Sequence, residues 1–277
     1  MTARTLSPSE LARDIRRQTL TTIHRAKASH VGSCLSMVDI LAVLYARVLH
    51  FRPEQPDWPE RDRVIVSKGH AAAALYATLA LVGFFPESWL STYCQDGSRL
   101  GGHVSYGVPG VEAATGALGH GLSIATGLSL ALKRDNSHAR SFVILSDGEC
   151  DEGATWEAAL FASHHRLDNL IAIVDYNKIQ SFGRVEDVMA LEPFADKWRA
   201  FGWHAQEVDG HDHASLLGVF EALAVGSQKP TVIIAHTIKG KGVPFMEDDN
   251  LWHYKPPNDE QLTLALRFLD HLEKPHA

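Results

Sequence analysis

The chain has 277 residues, of which 45% are hydrophobic, and a formal charge of −7, enough apolar mass for the core of one large α/β domain. The acidic balance, with basic residues dispersed, excludes nucleic acid as a partner. No apolar run approaches the ~18 residues of a membrane span, and Met1–Arg17 has no apolar stretch of the signal-peptide kind.

Three cysteines, Cys34, Cys94 and Cys150, have neither CxxC nor metal-site spacing and read as free thiols in a reducing cytoplasm. Ser7-Pro8-Ser9-Glu10 is a capping box with proline at the first helical position. It predicts a helix to about Lys27 with Leu11, Ile15, Leu20 and Ile23 on one side. Ala28 to Ser33 reads as a loop, and Ser36 as the cap of a second helix through Leu49. Arg52 to Asp62 is loop. Val64–Val66 is a short strand ending in Ser67-Lys68-Gly69-His70, and an alanine-rich helix follows to about Val82. Pro86 to Cys94 reads as a short helix. Asp96 to Gly121 is a long Gly-rich loop, a kind usually functional or disordered. Leu122 to Lys133 reads as a helix.

Phe142 to Ile179 organises the chain. Phe142–Leu145 and Leu170–Val174 are short apolar runs suited to buried parallel strands, and Gly153 to His165 has helical spacing between them. A right-handed βαβ unit of this kind opens both strand ends on one edge of the sheet. Asp147 follows the first strand; Asp175, Asn177 and Ile179 follow the second. A carboxylate, an amide oxygen and a backbone carbonyl are hard ligands that suit Mg²⁺ and leave it open positions for phosphate oxygens. Gly148 permits close approach of an anion. The plain alternative is a turn that Asp147 and Asn177 merely cap, and spacing alone leaves the two level.

Further on, Glu192 to Ala200 reads as helix, Trp203 to Val208 as strand, His213 to Val225 as helix and Thr231 to Ala235 as buried strand. Lys239 to Pro257 is irregular, and Asn258 to Leu272 is a last helix before the polar Glu273–Ala277. The alternation of strands and helices predicts a doubly wound, mostly parallel α/β sheet with helices on both faces. The expected organisation is one domain over residues 1–277, with an N-terminal helical segment and a C-terminal helix. Of the sixteen histidines, His30, His70, His103 and His253 sit in loops, three of them within two residues of a glycine. Any one alone reads as an ordinary loop residue. His211 and His213 read as a turn and a cap, and Glu152 as a residue near a helix start.

Ser146-Asp147-Gly148 with the later Asn177 resembles the thiamine-diphosphate motif of the transketolase family, with Ser146 where the family usually has Gly. Pro109 to Gly121 and Ser67-Lys68-Gly69-His70-Ala71 are similar to other transketolase segments, and the resemblance runs from about Ser7 to His253. It implies thiamine diphosphate and Mg²⁺ (Ca²⁺ or Mn²⁺ in its place) as cofactors, with Asp147, Asn177 and the Ile179 carbonyl as metal ligands. It also implies cofactor contacts from His70, Gly116, Ala117, Leu118, Gly148, Asn177 and His253. His30, His70, His103 and His253 become catalytic candidates facing a sugar, and Glu152 part of an acidic network between paired cofactors.

The expected reaction is transfer of a two-carbon ketol unit from a ketose phosphate to an aldose phosphate. The alternatives are a related enzyme of the 1-deoxyxylulose-phosphate-synthase or 2-oxoacid-dehydrogenase type, or a non-catalytic assembly subunit. In the family, a glutamate facing the aminopyrimidine ring comes from a second α/β domain. The residues after His253 are too few for one, since a domain needs about 50 or more. The expectation is therefore a split transketolase. This N-terminal subunit would join a C-terminal partner subunit, which supplies the pyrimidine-binding domain, in a two-plus-two heterotetramer.

Overall fold

The computed structural model describes residues 6–223 and 226–271. The predicted helix ends at Val225 and Leu272, and the tail Glu273–Ala277, lie outside those residues. Helix α1 (Pro8–Ala26) opens as its sequence dictates: Ser7 Oγ accepts from Glu10 N–H at 3.3 Å, and Glu10 Oε2 accepts from Ser7 N–H at 2.9 Å. Its Leu11, Ile15, Leu20 and Ile23 are buried.

The second predicted helix is different. It begins well before Ser36, at Val31, after His30 in a left-handed conformation (φ 72°), and it comes in pieces. These are α2 (Val31–Ser36), α3 (Val38–Val43) and a π-helical turn at Leu44–Val48. Ser36 is the last residue of α2 and not a cap, Met37 standing at the start of α3, and its hydroxyl donates to Asp175 Oδ2 at 2.5 Å.

The chain continues through β1 (Arg63–Val66), α4 (Ala72–Leu81), α5 (His120–Arg134), β2 (Ser141–Ser146), α6 (Gly153–His164) and β3 (Leu170–Tyr176). After these come α7 (Val185–Val188), α8 (Phe194–Ala200), β4 (His204–Asp209), α9 (His213–Glu221), β5 (Thr231–His236), α10 (Leu251–Tyr254) and α11 (Asp259–His271). The predicted helix at Pro86–Cys94 is a 3₁₀ stretch, Glu87–Thr92.

The five strands form one sheet in the order β1-β2-β3-β5-β4, every pairing parallel. Its apolar runs are continuous because both faces are covered. Phe142, Ile144, Ile171, Ile173 and Ile233 point into a core shared with α1, α3 and α4. The alternate residues Val143, Leu145, Ala172, Val174 and Ile234 point into a second core with α5, α6 and α8. Each such Val, Leu, Ile or Phe side chain contributes roughly 1.5–3 kcal/mol by leaving water. With all strands parallel, every carboxyl end lies on one edge, and the loops leaving that edge carry the residues described next.

Candidate functional site

Four strand ends supply the floor of the site. After β1 the chain turns through Ser67-Lys68-Gly69-His70. A side chain at Gly69 would collide with the Thr115 carbonyl, so glycine lets the Gly-rich loop lie directly on this turn. That loop is pinned there by Val104 N–H to Gly69 O (3.1 Å), Thr115 N–H to Val104 O (3.1 Å) and the Thr115 hydroxyl to Val66 O (2.6 Å). The result brings His103 over Gly116, where a Cβ would stand 3.1 Å from the imidazole.

The four histidines converge, His253 from the short helix α10 and not from the loop that the sequence predicts. His30 lies 5.1 Å from His70, 6.0 Å from His103 and 5.0 Å from His253 between ring centroids, and His70 lies 5.8 Å from His253. The backbone helps: His30 N–H donates to the His253 carbonyl at 2.8 Å. Burial lowers the His30 imidazole to about 4 and the His253 imidazole to about 3, with His103 and lysine charges adding to the effect at His30 and Lys239 at His253. Burial followed by Lys68 likewise pushes His70 well below its ordinary value. These three rings are therefore neutral imidazoles; His253 Nδ1 bonds Lys239 and His30 Nδ1 bonds Ser29, while His70 has no ring hydrogen bond among the described residues.

Asp147 follows β2 and is buried. Its Oδ1 accepts from Gly148 N–H at 2.8 Å and its Oδ2 from Lys178 N–H at 2.6 Å, which sets it beside the turn after β3. Burial, then the neighbouring Asp175 carboxylate, lifts Asp147 to about 6. Asn177 Oδ1 accepts from Ile179 N–H at 3.1 Å. Gly148 faces the Gln180 side chain, with 3.2 Å available to a Cβ. Among the described residues no three His, Cys, Asp or Glu side chains converge as a metal-ligand group; the expected set has one carboxylate, one amide and one carbonyl.

Two lysines that sequence reasoning misses join these halves. Lys239, fully buried, donates to the Ile179 carbonyl at 3.1 Å, to Asn250 Oδ1 at 3.2 Å and to His253 Nδ1 at 3.1 Å. Burial, with Lys68 nearby, lowers its ammonium to about 8. Lys68 is also fully buried; it donates to the Ser33 carbonyl at 2.9 Å and pairs with Asp175. Asp175 lies inside β3, not beyond it. Burial opposes its charge, but Lys68, Ser36 and Thr237 more than offset that and hold it below the usual carboxylate value. A signal exists in the sequence: each lysine stands beside glycine just past a strand.

Glu152 immediately precedes α6, at the helix start where the sequence reading puts it, and is exposed, with its Cβ against Gly119. The buried carboxylate is Glu149, which accepts from the Ser67 hydroxyl and from Gly119 N–H (2.8 Å) and so ties β1, β2 and the start of α5. Ser146 fits beside it, its hydroxyl accepting Glu149 N–H at 3.3 Å and its own N–H donating to Glu149 Oε2 at 3.3 Å. Leu118 is half-buried and Ala117 exposed on the loop before α5.

Residues 7–270 match the model of the transketolase thiamine-diphosphate-binding domain. The chain belongs to this family. Among transketolase relatives, it is 43% identical to the 6-deoxy-6-sulfo-D-fructose transketolase subunit SqwG of Clostridium sp. (strain MSTE9), over 92% of this chain and 94% of that one. It is 46% identical to an apulose-4-phosphate transketolase subunit of Actinobacillus succinogenes, over 87% of each chain. The transketolase of Campylobacter jejuni superposes with a TM-score of 0.88 at 31% identity, over 95% of this chain and 42% of that one. The chain spans less than half the length of the solved transketolases it matches.

Proposed function

We propose that this chain is the metal- and diphosphate-holding subunit of a two-chain transketolase. The observation that carries the reading is Lys239, whose ammonium links the Ile179 carbonyl to His253 and so joins the Asp147–Asn177 turn to the four-histidine cluster. The donor set fits a metal-bound diphosphate. Asp147 is a buried carboxylate with no ion-pair partner among the described residues, lifted to about 6 by burial and Asp175. A divalent cation held there would supply the missing positive charge. Asp147, Asn177 and the Ile179 carbonyl would hold Mg²⁺, and Gly148 and His70 would face the diphosphate. Gly116, Ala117 and Leu118 would line the ring end of the cofactor.

Bound thiamine diphosphate supplies the electron sink for breaking and remaking the carbon–carbon bond beside a ketose carbonyl. The chain's own residues bind the sugar and handle its protons. His103, exposed and free of side-chain hydrogen bonds among the described residues, would hold a substrate hydroxyl. His30, kept neutral by burial, can accept a hydroxyl proton and return it, while His253, whose Nδ1 accepts from Lys239, can offer its Nε2 proton to a substrate oxygen.

Relatives of matching length are named as transketolase subunits, which supports a partner chain that completes the site in a two-plus-two assembly. Their named sugars carry a sulfonate or a phosphate. This supports a ketose donor with an anionic end. The test is calorimetry of thiamine diphosphate with Mg²⁺ on the assembled protein. Asp147→Ala should abolish metal-dependent binding; unchanged affinity would reject the site.

A further inference from the structure

Two histidines outside the cluster form a second constellation. Asp39, buried in α3, accepts from the two terminal guanidinium nitrogens of Arg16 (3.1 and 2.5 Å), from His211 Nδ1 (2.7 Å) and from His213 Nε2 (2.8 Å). His211 has one more bond: its Nε2 accepts the backbone N–H of Ile238 at 2.8 Å. A backbone N–H can only donate, so Nε2 must keep its lone pair and the ring proton must sit on Nδ1, aimed at Asp39. Both ring nitrogens are thus engaged, and the ring is neutral.

Ile238 immediately precedes Lys239. The strap Thr237–Gly240 leaves β5 and crosses to α2, and it is tied along its length. Thr237 N–H donates to Tyr176 O at 3.2 Å, the Thr237 hydroxyl donates to Asp175, and Gly240 N–H donates to Gly32 O at 3.0 Å. Gly210 lets the His211 turn pack on this strap: a Cβ there would meet Thr237 Cγ2 at 2.5 Å and the His236 carbonyl at 3.1 Å. Gly210 N–H also donates to that carbonyl at 2.8 Å.

We infer that His211 is a positioning residue, a fixed-tautomer bracket anchored on Asp39 that sets the height of the Ile238–Lys239 strap and so the reach of Lys239 to the Ile179 carbonyl and His253. This deepens the site reading above and rests on it. The bracket works through geometry: the imidazole spans a fixed distance between a carboxylate held by α1 and α3 and an amide in the strap. A side chain lacking either function lets the strap shift, and Lys239 with it.

A double-mutant cycle on cofactor affinity tests the functional half, using thiamine diphosphate and Mg²⁺ with the assembled protein. His211→Leu should weaken binding about tenfold in the wild-type background and hardly at all in the Lys239→Met background, since coupled residues are non-additive. Additive losses would overturn the inference while leaving the site intact. Unchanged affinity in Lys239→Met alone would overturn the site reading, and this inference with it.

The structural half is read without cofactor. Nitrogen-15 imidazole spectra should show His211 with its proton on Nδ1, and Ile238 N–H should exchange slowly. Should His211→Leu fail to fold, His211→Gln, which keeps one donor and one acceptor, should restore affinity to within about threefold. An Nε2-protonated ring, or a freely exchanging Ile238 amide, would overturn the bracket.

Discussion

The molecule uses histidine in two opposite ways. His211 and His213 stand on a carboxylate that is itself clamped by Arg16, and His211 has both ring nitrogens engaged. In the cluster of His30, His70, His103 and His253, the polar partners of the rings are Ser29 at His30 and Lys239 at His253. Among the described residues no carboxylate pairs with any of the four, whereas Asp39 takes both His211 and His213. A histidine whose bonding capacity is consumed by the protein holds the protein together. A group of histidines with capacity left over, His30, His70 and His253 among them kept neutral by burial, is arranged for something that is not protein.

Mutations should separate the two groups. The largest effect is expected inside the cluster. His103→Ala should lower turnover about 100-fold at saturating cofactor while cofactor affinity moves less than about threefold. His70→Ala should do the reverse, weakening cofactor binding with turnover at saturation largely kept. Steady-state kinetics with titrated cofactor distinguishes them, and equal losses in both parameters for both variants would break the contrast.

Next in size is Asp39→Asn, which leaves Arg16 buried without its carboxylate and should cost about 3 kcal/mol of stability. Burial would raise Asp39, but Arg16 and the two histidine hydrogen bonds hold it well below the usual carboxylate range. The sign follows: its contribution is complete above the unfolded value near about 4 and is lost as pH falls through the folded value. Denaturant unfolding should therefore show a gap between wild type and variant that is constant from about pH 7 to 8 and narrows below about pH 4. A gap unchanged by acid would mean that the charge on Asp39 is not what stabilises.

The smallest effect sharpens the comparison within the structural pair. His213→Ala removes one of Asp39's donors but nothing from the strap. It should cost about 1 kcal/mol in denaturant unfolding and leave thiamine-diphosphate affinity unchanged. A loss of affinity as large as that of His211→Leu would show that the carboxylate, and not the His211 bracket, governs the strap.

The fold is readable where its signals are local. Phe142–Leu145 and Leu170–Val174 are continuous apolar runs, and the Ser7–Glu10 box needs four adjacent residues. The second helix departs from its sequence pattern: Ser36, a good capping residue by type, lies at the end of α2, and its hydroxyl donates to Asp175, 139 residues away. Position in loops singles out the four histidines, and the family resemblance links them to one pocket; periodicity alone cannot bring the other three within 6.0 Å of His30. The Asp39–His211 bond spans 172 residues, and the Lys68–Asp175 pair 107. No sequence window contains both partners. Long-range polar pairing is what the chain's local pattern leaves unwritten.

The strap from Thr237 to Gly240 has a consequence for how this protein folds and unfolds. Its ties reach β3, the turn before α9 and the start of α2, so the contacts that shape the site join segments from both ends of the chain. Such a site has high contact order: it cannot exist in a partly folded piece and should be among the last features to assemble. A ligand bound there opposes unfolding of the whole molecule, by about 2.7 kcal/mol at a free concentration about one hundred times its dissociation constant. Heat-induced unfolding of the entire chain is then a direct gauge of occupancy, and the histidine pair on Asp39 is part of the mechanical link that makes it one.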